Sequence, residues 1–319
     1  MTDKKIAFLF PGQGSQSVGM GRDLQEKFPA ARSVFEEADD ALGFGISRLC
    51  FDGPEDELKM TEHTQPAILT VSVAAERVLR EHGVEAACAA GHSLGEYSAH
   101  VAAGTLAFAD AVRTVRDRGR YMQQAVPAGV GSMAAILGLP AGRVIEVCAA
   151  AAQETGEVVS AANLNSPDQT VISGAVKAVG RAAELAKEAG AKRAVMLAVS
   201  APFHCALMQP AQDRLASALE TLAFHTPHLP VAANVDAKLL REGDAVRDAL
   251  VRQVTGPVRW VECIKLLTAE GATHFIEVGP GKVLCGLMRQ IDRSQRCLNV
   301  EDGASLEKTL AALQEAAGA

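Results

Sequence analysis

Apolar and polar residues alternate along the chain with two different periods. Short apolar runs, such as 6–10 and 273–278, are each followed by a longer stretch, 22–41 or 282–290, in which apolar residues recur every three or four positions. The short runs are typical of buried strands, and the longer period is typical of helices. This alternation continues almost throughout the chain and predicts an α/β fold with a largely parallel sheet.

A segment with helical spacing lies between residues 65 and 82. Its apolar positions are Ile68, Val71, Ala75, Val78 and Leu79. Because Gly83 follows as a helix stop, the pattern predicts a buried helix that ends there. The apolar run 88–90 then predicts a short strand.

The pattern changes between Pro127 and about Ser200. It predicts, in order, a strand (130–137), a helix (140–154), two strands (158–163 and 169–173), a helix (175–189) and a strand (191–199). This β-α-β-β-α-β order is the ferredoxin-like signature. We therefore predict a large α/β-hydrolase-like subdomain formed by residues 1–127 and 200–319, with a ferredoxin-like subdomain, residues 128–199, inserted into it.

Composition narrows the class of protein. Of the 319 residues, 48% are hydrophobic and 22% are charged, and no apolar run approaches the roughly 18 residues that cross a bilayer. The run 6–10 is too short for a signal peptide, so we expect a cytoplasmic protein that does not enter membranes. A formal net charge of −7 without a long basic run argues against nucleic acid as a partner.

The cysteines are odd in number and scattered. They lie at positions 50, 88, 148, 205, 263, 285 and 297, and they form no C-x-x-C pair. This argues against a disulfide framework and against a cysteine-rich zinc site. We expect reduced and mostly buried cysteines.

The first candidate for chemistry is Ser93. Residues 91–95 read Gly-His-Ser-Leu-Gly, directly after the predicted strand and before a helix predicted from Leu94 to Ala103. In such a strand-to-helix turn, side chains at 91 and 95 would clash, and the serine hydroxyl stands at the apex. The N–H of Leu94 would then face a developing oxyanion.

A glycine-rich turn with a helix-capping serine is the other interpretation of this segment, because serine is a favoured N-cap. A nucleophilic serine also needs a base, usually a histidine. His92 and His100 lack obvious geometry for that role, whereas His204 lies in a loop after a predicted strand. On position alone, His204 fits a helix start equally well.

The third member of a catalytic triad is not evident. An α/β-hydrolase has an acid between its serine and its histidine along the chain, and Asp168 is the attractive acid by position.

Arg118 lies within the apolar stripe of the predicted helix 108–124. Its spacings to Ala111, Val115 and Met122 are those of one helix face. The opposite face carries Arg113, Arg116 and Arg120. A buried guanidinium needs a partner. That partner is either a substrate carboxylate, held bidentately, or an internal Asp or Glu, and the spacing does not decide between them.

Five motifs together resemble one enzyme family. They are Phe-Pro-Gly-Gln-Gly-Ser-Gln (10–16), Gly-His-Ser-Leu-Gly-Glu (91–96), Arg-Gly-Arg-Tyr-Met-Gln (118–123), Ala-Pro-Phe-His (201–204) and Glu-Val-Gly-Pro-Gly (277–281). Their identity and order closely resemble malonyl-CoA:acyl carrier protein transacylases of the stand-alone bacterial type. The resemblance extends from residue 6 to about 290.

The resemblance implies a role for each motif. Ser93 is expected to be the acylated nucleophile, His204 its base, and Arg118 the residue that binds the malonyl carboxylate. The resemblance also replaces Asp168 with the backbone carbonyl of Gln253 as the group that orients the histidine. The remaining implied positions are the backbone N–H groups of Gln13 and Leu94 for the oxyanion, Asn165 on the coenzyme A side, and Phe203 as a bulky ring that disfavours methylmalonyl.

The implied reaction is a ping-pong transfer of malonyl from coenzyme A to an acyl carrier protein, for fatty acid synthesis. It requires no metal and no cofactor, and the protein is expected to be a monomer. Two alternatives remain open from the residues: a serine hydrolase that transfers the acyl group to water, and a silent scaffold that only binds carrier protein.

Overall fold

The secondary structure is given by a computed structural model, which describes residues 5–127, 129–199 and 201–318. The strands are β1 (Ile6–Phe10), β2 (Cys88–Gly91), β3 (Gly131–Leu137), β4 (Val159–Ser166), β5 (Gln169–Ala175), β6 (Arg193–Met196), β7 (Val231–Ala232), β8 (Leu239–Leu240), β9 (His274–Val278) and β10 (Arg296–Val300).

The helices are α1 (Arg22–Lys27), α2 (Pro29–Leu42), α3 (Ile46–Asp52), α4 (Glu55–Leu58), α5 (Thr61–Glu81), α6 (Gly95–Ala102), α7 (Phe108–Ala125), α8 (Ala141–Thr155), α9 (Val176–Glu188), α10 (Gln209–Glu220), α11 (Gly243–Gln253), α12 (Trp260–Ala269), α13 (Val283–Ile291) and α14 (Gly303–Gly318). A short 3-10 helix spans Ala206–Met208.

A six-stranded sheet with the order β10-β9-β1-β2-β7-β8 forms the larger part of the molecule. Its neighbours are parallel except for the β7–β8 pair. The predicted α/β class with a largely parallel sheet is therefore confirmed. Since the carboxyl ends of parallel strands meet at one edge, the loops after β1, β2 and β7 lie close together.

Two predicted helical segments differ slightly from the observed helices. α5 is buried as predicted and ends before Gly83, but it begins at Thr61, four residues earlier than expected. The segment 22–41 is divided into two helices, because Phe28 is extended (φ −120°, ψ 118°) in front of Pro29. A proline disfavours the helical conformation of the residue before it, and the periodicity did not reveal this break.

A four-stranded antiparallel sheet with the order β4-β5-β3-β6 forms the smaller part, with α8 and α9 packed against it. The predicted ferredoxin-like element order is confirmed. β6 spans only 193–196 rather than the expected 191–199. Residues 128 and 200, at which we placed the subdomain boundaries, lie outside the described residues, and the division at 128–199 stays a prediction.

One strand of the small sheet also contacts the large part. The N–H of Leu164 on β4 donates to the carbonyl of Val258, and the N–H of Val258 donates to the carbonyl of Ala162, at 2.9 and 2.8 Å. These two bonds hold the end of β4 beside the segment that precedes α12. The cavity described below is lined by residues of both sheets.

The cysteines agree with the prediction for five of the seven positions, which are free and buried. Cys285 and Cys297 are joined by a disulfide, so the expectation of reduced cysteines is wrong for this pair. α13 connects β9 to its neighbour β10, and this packing brings the two Cα atoms to 5.3 Å, which is within the range for a disulfide. Among the described helices, none combines the length and the hydropathy needed to cross a membrane.

Candidate active site

Ser93 stands at the turn between β2 and α6. Its backbone has φ 51°, a left-handed conformation that a residue other than glycine rarely adopts. A Cβ on Gly91 would lie 1.8 Å from the carbonyl carbon of Gly95, and a Cβ on Gly95 would lie 2.1 Å from the carbonyl oxygen of Phe10. The two glycines therefore allow the tight turn that the sequence predicts.

The alternative of a helix-capping serine does not fit the contacts of this residue. The N-cap of α6 is Leu94, with no side-chain capping bond. The Ser93 hydroxyl instead lies 2.7 Å from Nε2 of His204.

His204 is held as a neutral hydrogen-bond acceptor. Its Nδ1 lies 2.9 Å from the carbonyl oxygen of Gln253 and 3.2 Å from that of Gly256. Carbonyls only accept hydrogen bonds, so Nδ1 carries the proton and Nε2 accepts the hydrogen of Ser93. Burial of the ring, and secondly the charge of Arg118, lower the pKa of His204 to about 3, although the Gln253 carbonyl opposes the shift. The imidazole is therefore unprotonated at neutral pH.

The other candidates for base and acid are not at this position. His92 donates from Nε2 to Oδ1 of Asn165 at 2.8 Å, and His100 lies buried within α6. Asp168 lies in the β4–β5 turn, where its backbone carbonyl accepts from Gly138. Among the described residues, the hydrogen-bond acceptors at His204 Nδ1 are backbone carbonyls rather than a carboxylate.

Arg118 on α7 is 1% exposed and faces Ser93. Nη1 donates to Oε1 of Gln65 at 2.7 Å, and Nη2 donates to Oε1 of Gln253 at 2.9 Å and to Oγ of Ser93 at 3.1 Å. Burial lowers the pKa of Arg118, while Tyr97 and Glu96 oppose the shift. Because arginine is the most basic side chain, Arg118 remains a cation at neutral pH despite this lowered pKa.

The partners of Arg118 decide between the two interpretations of its burial. They are amide and hydroxyl oxygens, and within the described part of the chain no Asp or Glu oxygen lies within 4.0 Å of the guanidinium. Nε has no hydrogen-bond partner there. A buried cation whose partners are all neutral can bind an anionic ligand, because a carboxylate would supply the missing charge.

Buried polar residues support the serine and the arginine. Asn234 accepts from the N–H of Ser93 and donates to the carbonyl of Gly91, at 2.7 Å each, and so spans the turn. The side chain of Gln253 donates from Nε2 to the Ser93 carbonyl at 3.0 Å and to Oε2 of Glu96 at 2.7 Å.

Gln13 and Leu94 both line the cavity that contains Ser93. Gln13 lies in the loop after β1, and Leu94 is the first residue of the helix turn that starts α6. The resemblance assigns their backbone N–H groups to the oxygen of a reacting carbonyl, and that role stays a prediction.

Comparison with known proteins shows the family. Residues 7–311 match the acyl transferase domain family. The chain is 49% identical over 311 residues to the malonyl CoA-acyl carrier protein transacylase of Bacillus subtilis, and the match covers 98% of both chains. The chain belongs to the malonyl-CoA:acyl carrier protein transacylase family.

Solved structures of this transacylase family have the same fold. The acyl carrier protein S-malonyltransferase of Vibrio cholerae O1 biovar eltor superimposes with a TM-score of 0.94 at 50% identity, covering 96% of this chain and all of the other. A malonyl-transacylase solved in complex with its type II polyketide acyl-carrier protein also gives 0.94, at 48% identity, covering 97% of this chain and 100% of that one.

The cavity of this transacylase family member has a volume of about 540 Å³. Ser93, Arg118 and His204 lie on one side. The other side is contributed by the small sheet and by the segment before His204, and its lining includes Met133, Asn163, Asn165, Val171, Leu197 and Phe203. All eight positions that the sequence and the resemblance predicted therefore lie at the cavity or, for Gln253, directly behind it.

Sequence reasoning missed the supporting residues of the transacylase site. Asn234 lies two residues after β7, and a polar residue near the carboxyl end of a parallel strand was a usable signal. Glu96 was part of a motif, yet no role was assigned to it. Gln65 lies in the second turn of α5, between Thr64 and Pro66, and gave no signal.

The described residues do not contain a group of three or more His, Cys, Asp or Glu side chains that could hold a metal ion.

Proposed function

We propose that this protein transfers a malonyl group from malonyl-CoA to the phosphopantetheine thiol of an acyl carrier protein through an acyl-serine intermediate. The observation that carries the proposal is the buried Arg118, whose hydrogen-bond partners among the described residues are all neutral and whose Nη2 lies 3.1 Å from the hydroxyl of Ser93. An acyl group attached to Ser93 would extend beside this cation. A terminal carboxylate on that acyl group would satisfy the guanidinium with a pair of charge-assisted hydrogen bonds.

In the first half-reaction the Ser93 oxygen attacks the thioester carbonyl while Nε2 of His204 takes the hydroxyl proton. The tetrahedral oxyanion accepts from the N–H groups of Gln13 and Leu94. Loss of one such donor typically raises the barrier by about 3 kcal/mol. The carbon–sulfur bond then breaks, and His204 returns the proton to the coenzyme A thiolate.

In the second half-reaction the same groups work in the opposite direction. His204 takes the proton of the phosphopantetheine thiol, the sulfur attacks the malonyl-serine carbonyl, and Ser93 leaves with the proton returned from His204. The chain's own residues supply every proton transfer, and the cycle needs no metal and no redox cofactor.

Substrate binding should also prepare the base. Burial is the largest cause of the low pKa of His204, and the charge of Arg118 is the second. A malonyl carboxylate bound to Arg118 would neutralise that charge, and the pKa of His204 would rise towards its usual range. A malonyl group would therefore increase the basicity of His204 as it binds.

The opposite side of the cavity would select the rest of the substrate. Phe203 lines the cavity next to His204, where its ring would crowd an α-methyl group and disfavour methylmalonyl. Asn165 uses its amide oxygen to accept from His92. Its Nδ2 donor is then available to the coenzyme A arm.

The carrier protein and the setting belong to the same proposal. A solved relative binds a polyketide acyl-carrier protein, and we propose a carrier protein of this kind as the second substrate here, in fatty acid synthesis. We further propose that the enzyme acts in the cytoplasm as a monomer. Size-exclusion chromatography with light scattering tests the last point.

The decisive test is the intact mass of the protein after incubation with malonyl-CoA. The expected result is one malonyl adduct on the parent protein, removed by holo acyl carrier protein, and no adduct on Ser93→Ala. Absence of any adduct would support a scaffold instead. Release of malonate at one rate with and without carrier protein would support a hydrolase.

A further inference from the structure

Glu96 is a fully buried carboxyl group to which the proposed reaction assigns no task. It lies on α6, three residues after Ser93, and is 0% exposed. Its Oε2 accepts from the backbone N–H of Asn234 at 3.0 Å and from Nε2 of Gln253 at 2.7 Å. Burying a carboxyl group costs free energy that its hydrogen bonds only partly recover. A carboxyl group at this position therefore calls for an explanation.

The bond from Gln253 determines which way the amide of that residue faces. Nε2 has two hydrogens, and Glu96 Oε2 and the Ser93 carbonyl accept them at 2.7 and 3.0 Å. Oε1 consequently faces Arg118 and accepts from Nη2 at 2.9 Å. A reversed amide would bring its oxygen against two other oxygens and its hydrogens against a cation.

The orientation of Gln253 in turn limits the orientation of Arg118. Gln253 and Gln65 accept from different nitrogens of the guanidinium, and together they hold its plane beside Ser93. Bidentate binding of a carboxylate depends on that plane, because the two donors must point in parallel.

We propose that Glu96 is a positioning residue for acyl-group selectivity, which fixes the side chain of Gln253 so that Arg118 presents its guanidinium to a substrate carboxylate. The inference rests on the proposed malonyl transfer. The group that matters is one acceptor oxygen rather than the charge. Oε1 of Glu96 has no hydrogen-bond partner among the described residues, and Nε2 of His100 lies 3.9 Å away.

This arrangement predicts opposite results for two substitutions at one position. Glu96→Gln keeps an oxygen towards Gln253 and places its amide nitrogen where Oε1 has no partner, so its ratio of malonyl to acetyl transfer stays within about threefold of the parent. Glu96→Leu fills the space without an acceptor and releases the amide of Gln253, so Arg118 loses an oriented acceptor. The ratio then falls about tenfold or more, the size expected when a hydrogen bond to a charged group is lost.

The measurement is kcat/KM for acylation of Ser93 by malonyl-CoA and by acetyl-CoA on the same samples. A ratio taken within one sample is insensitive to the fraction of folded protein. Ser98→Ala is the matched control, since Ser98 is a buried α6 residue whose hydroxyl has no partner in the described chain. Its ratio should equal that of the parent.

A second variant connects Glu96 to Gln253. Gln253→Leu keeps the backbone carbonyl that bonds His204 but removes the amide, so it should lose selectivity to the same degree as Glu96→Leu. In the double variant the loss should not increase further, because both changes break the same chain of contacts. Additive losses would show that Glu96 does not act through Gln253.

The outcomes separate this inference from the function on which it rests. A parent protein that does not distinguish malonyl from acetyl overturns both. A discriminating parent whose selectivity survives in Glu96→Leu or in Gln253→Leu overturns the inference alone. Equal loss of both activities in Glu96→Leu with full activity in Glu96→Gln also overturns it, because the acceptor would then serve the nucleophile.

Discussion

The two sides of the cavity are held in different ways. Ser93, Arg118 and His204, which we call the nucleophile wall, each bond to at least two partners, and the arginine and histidine are at most 3% exposed. Met133, Asn165 and Val171, which we call the sheet wall, present two apolar side chains and one amide bonded to His92.

The difference matches what each side would have to do. Proton transfer and oxyanion binding need donor and acceptor atoms placed to within a few tenths of an ångström, and this requires side chains that cannot turn. Holding a flexible thioester arm requires surface and a few polar contacts. Substitutions in the nucleophile wall should therefore change kcat or selectivity, and substitutions in the sheet wall should change KM.

The largest effect is expected for His204→Ala. Removal of the base leaves the Ser93 proton without an acceptor, and acylation by malonyl-CoA should slow by about a thousandfold. Rapid-quench measurement of malonyl-enzyme formation checks this. His225→Ala is the control, because His225 is exposed and bonds through its backbone N–H to Thr105. Acylation of the His204 variant at the parent rate would show that His204 is not the base.

Arg118→Ala should have the next largest effect, and it should be selective. Two charge-assisted bonds to the malonyl carboxylate are lost, so kcat/KM for malonyl-CoA should fall about a hundredfold or more, while acetyl-CoA should lose much less. Steady-state assays with both thioesters measure the ratio. Arg113→Ala on the same helix is the control and should match the parent, because Arg113 is half exposed and forms a surface ion pair with Asp110. Equal losses for both substrates would contradict a carboxylate-binding role.

The sequence predicted the order of the strands and helices better than the helix break at Phe28 and the disulfide. Alternating periods revealed the parallel sheet and the ferredoxin-like order, since both depend on local patterns. The break at Phe28 was missed because a proline acts on its neighbour without changing the apolar spacing. The Cys285–Cys297 pair depends on how α13 returns to β10, which no spacing of cysteines reveals.

The site was predictable where a residue type carries the signal. The glycines around Ser93 predicted a tight turn, and the position of Arg118 in an apolar stripe predicted a buried guanidinium. His204 was ambiguous because its direction is set by the backbone carbonyl of Gln253, and a carbonyl is present at every residue. Asn234 and Glu96 meet across 138 positions of sequence, so packing alone brings them together.

His100 is a buried side chain behind the nucleophile wall that should make the stability of the protein depend on pH. It is 0% exposed on α6 with both ring nitrogens unbonded within the described residues, and burial lowers its pKa from 6.5 to about 3. Below pH 6.5 the unfolded chain binds a proton that the folded chain does not. The parent therefore loses stability as the pH falls from 6.5 towards 3, by up to about 1.4 kcal/mol per pH unit from this residue.

His100→Leu should remove that loss. Glu96 gives His100 no compensating charge there, because burial raises the pKa of Glu96 to about 7 and leaves it protonated at lower pH. Urea unfolding at pH 7, 6 and 5 should show a variant that gains stability over the parent with each step down. Ser98→Ala, which adds no titrating group, should differ from the parent by a constant amount. A pH-independent gain in His100→Leu would mean that the ring finds a partner on protonation.

The smallest effect is expected on the sheet wall. Asn165→Ala removes one neutral amide, so KM for malonyl-CoA should rise about fivefold, while kcat should change less than twofold. Asn165→Asp keeps an oxygen that accepts from His92 but loses the Nδ2 donor and adds a negative charge opposite an anionic substrate. Its KM should rise further than that of the alanine variant if the donor faces coenzyme A. A fall in kcat with constant KM in either variant would show that Asn165 acts on the chemical step. It would contradict the division of the cavity into a side that sets kcat and a side that sets KM.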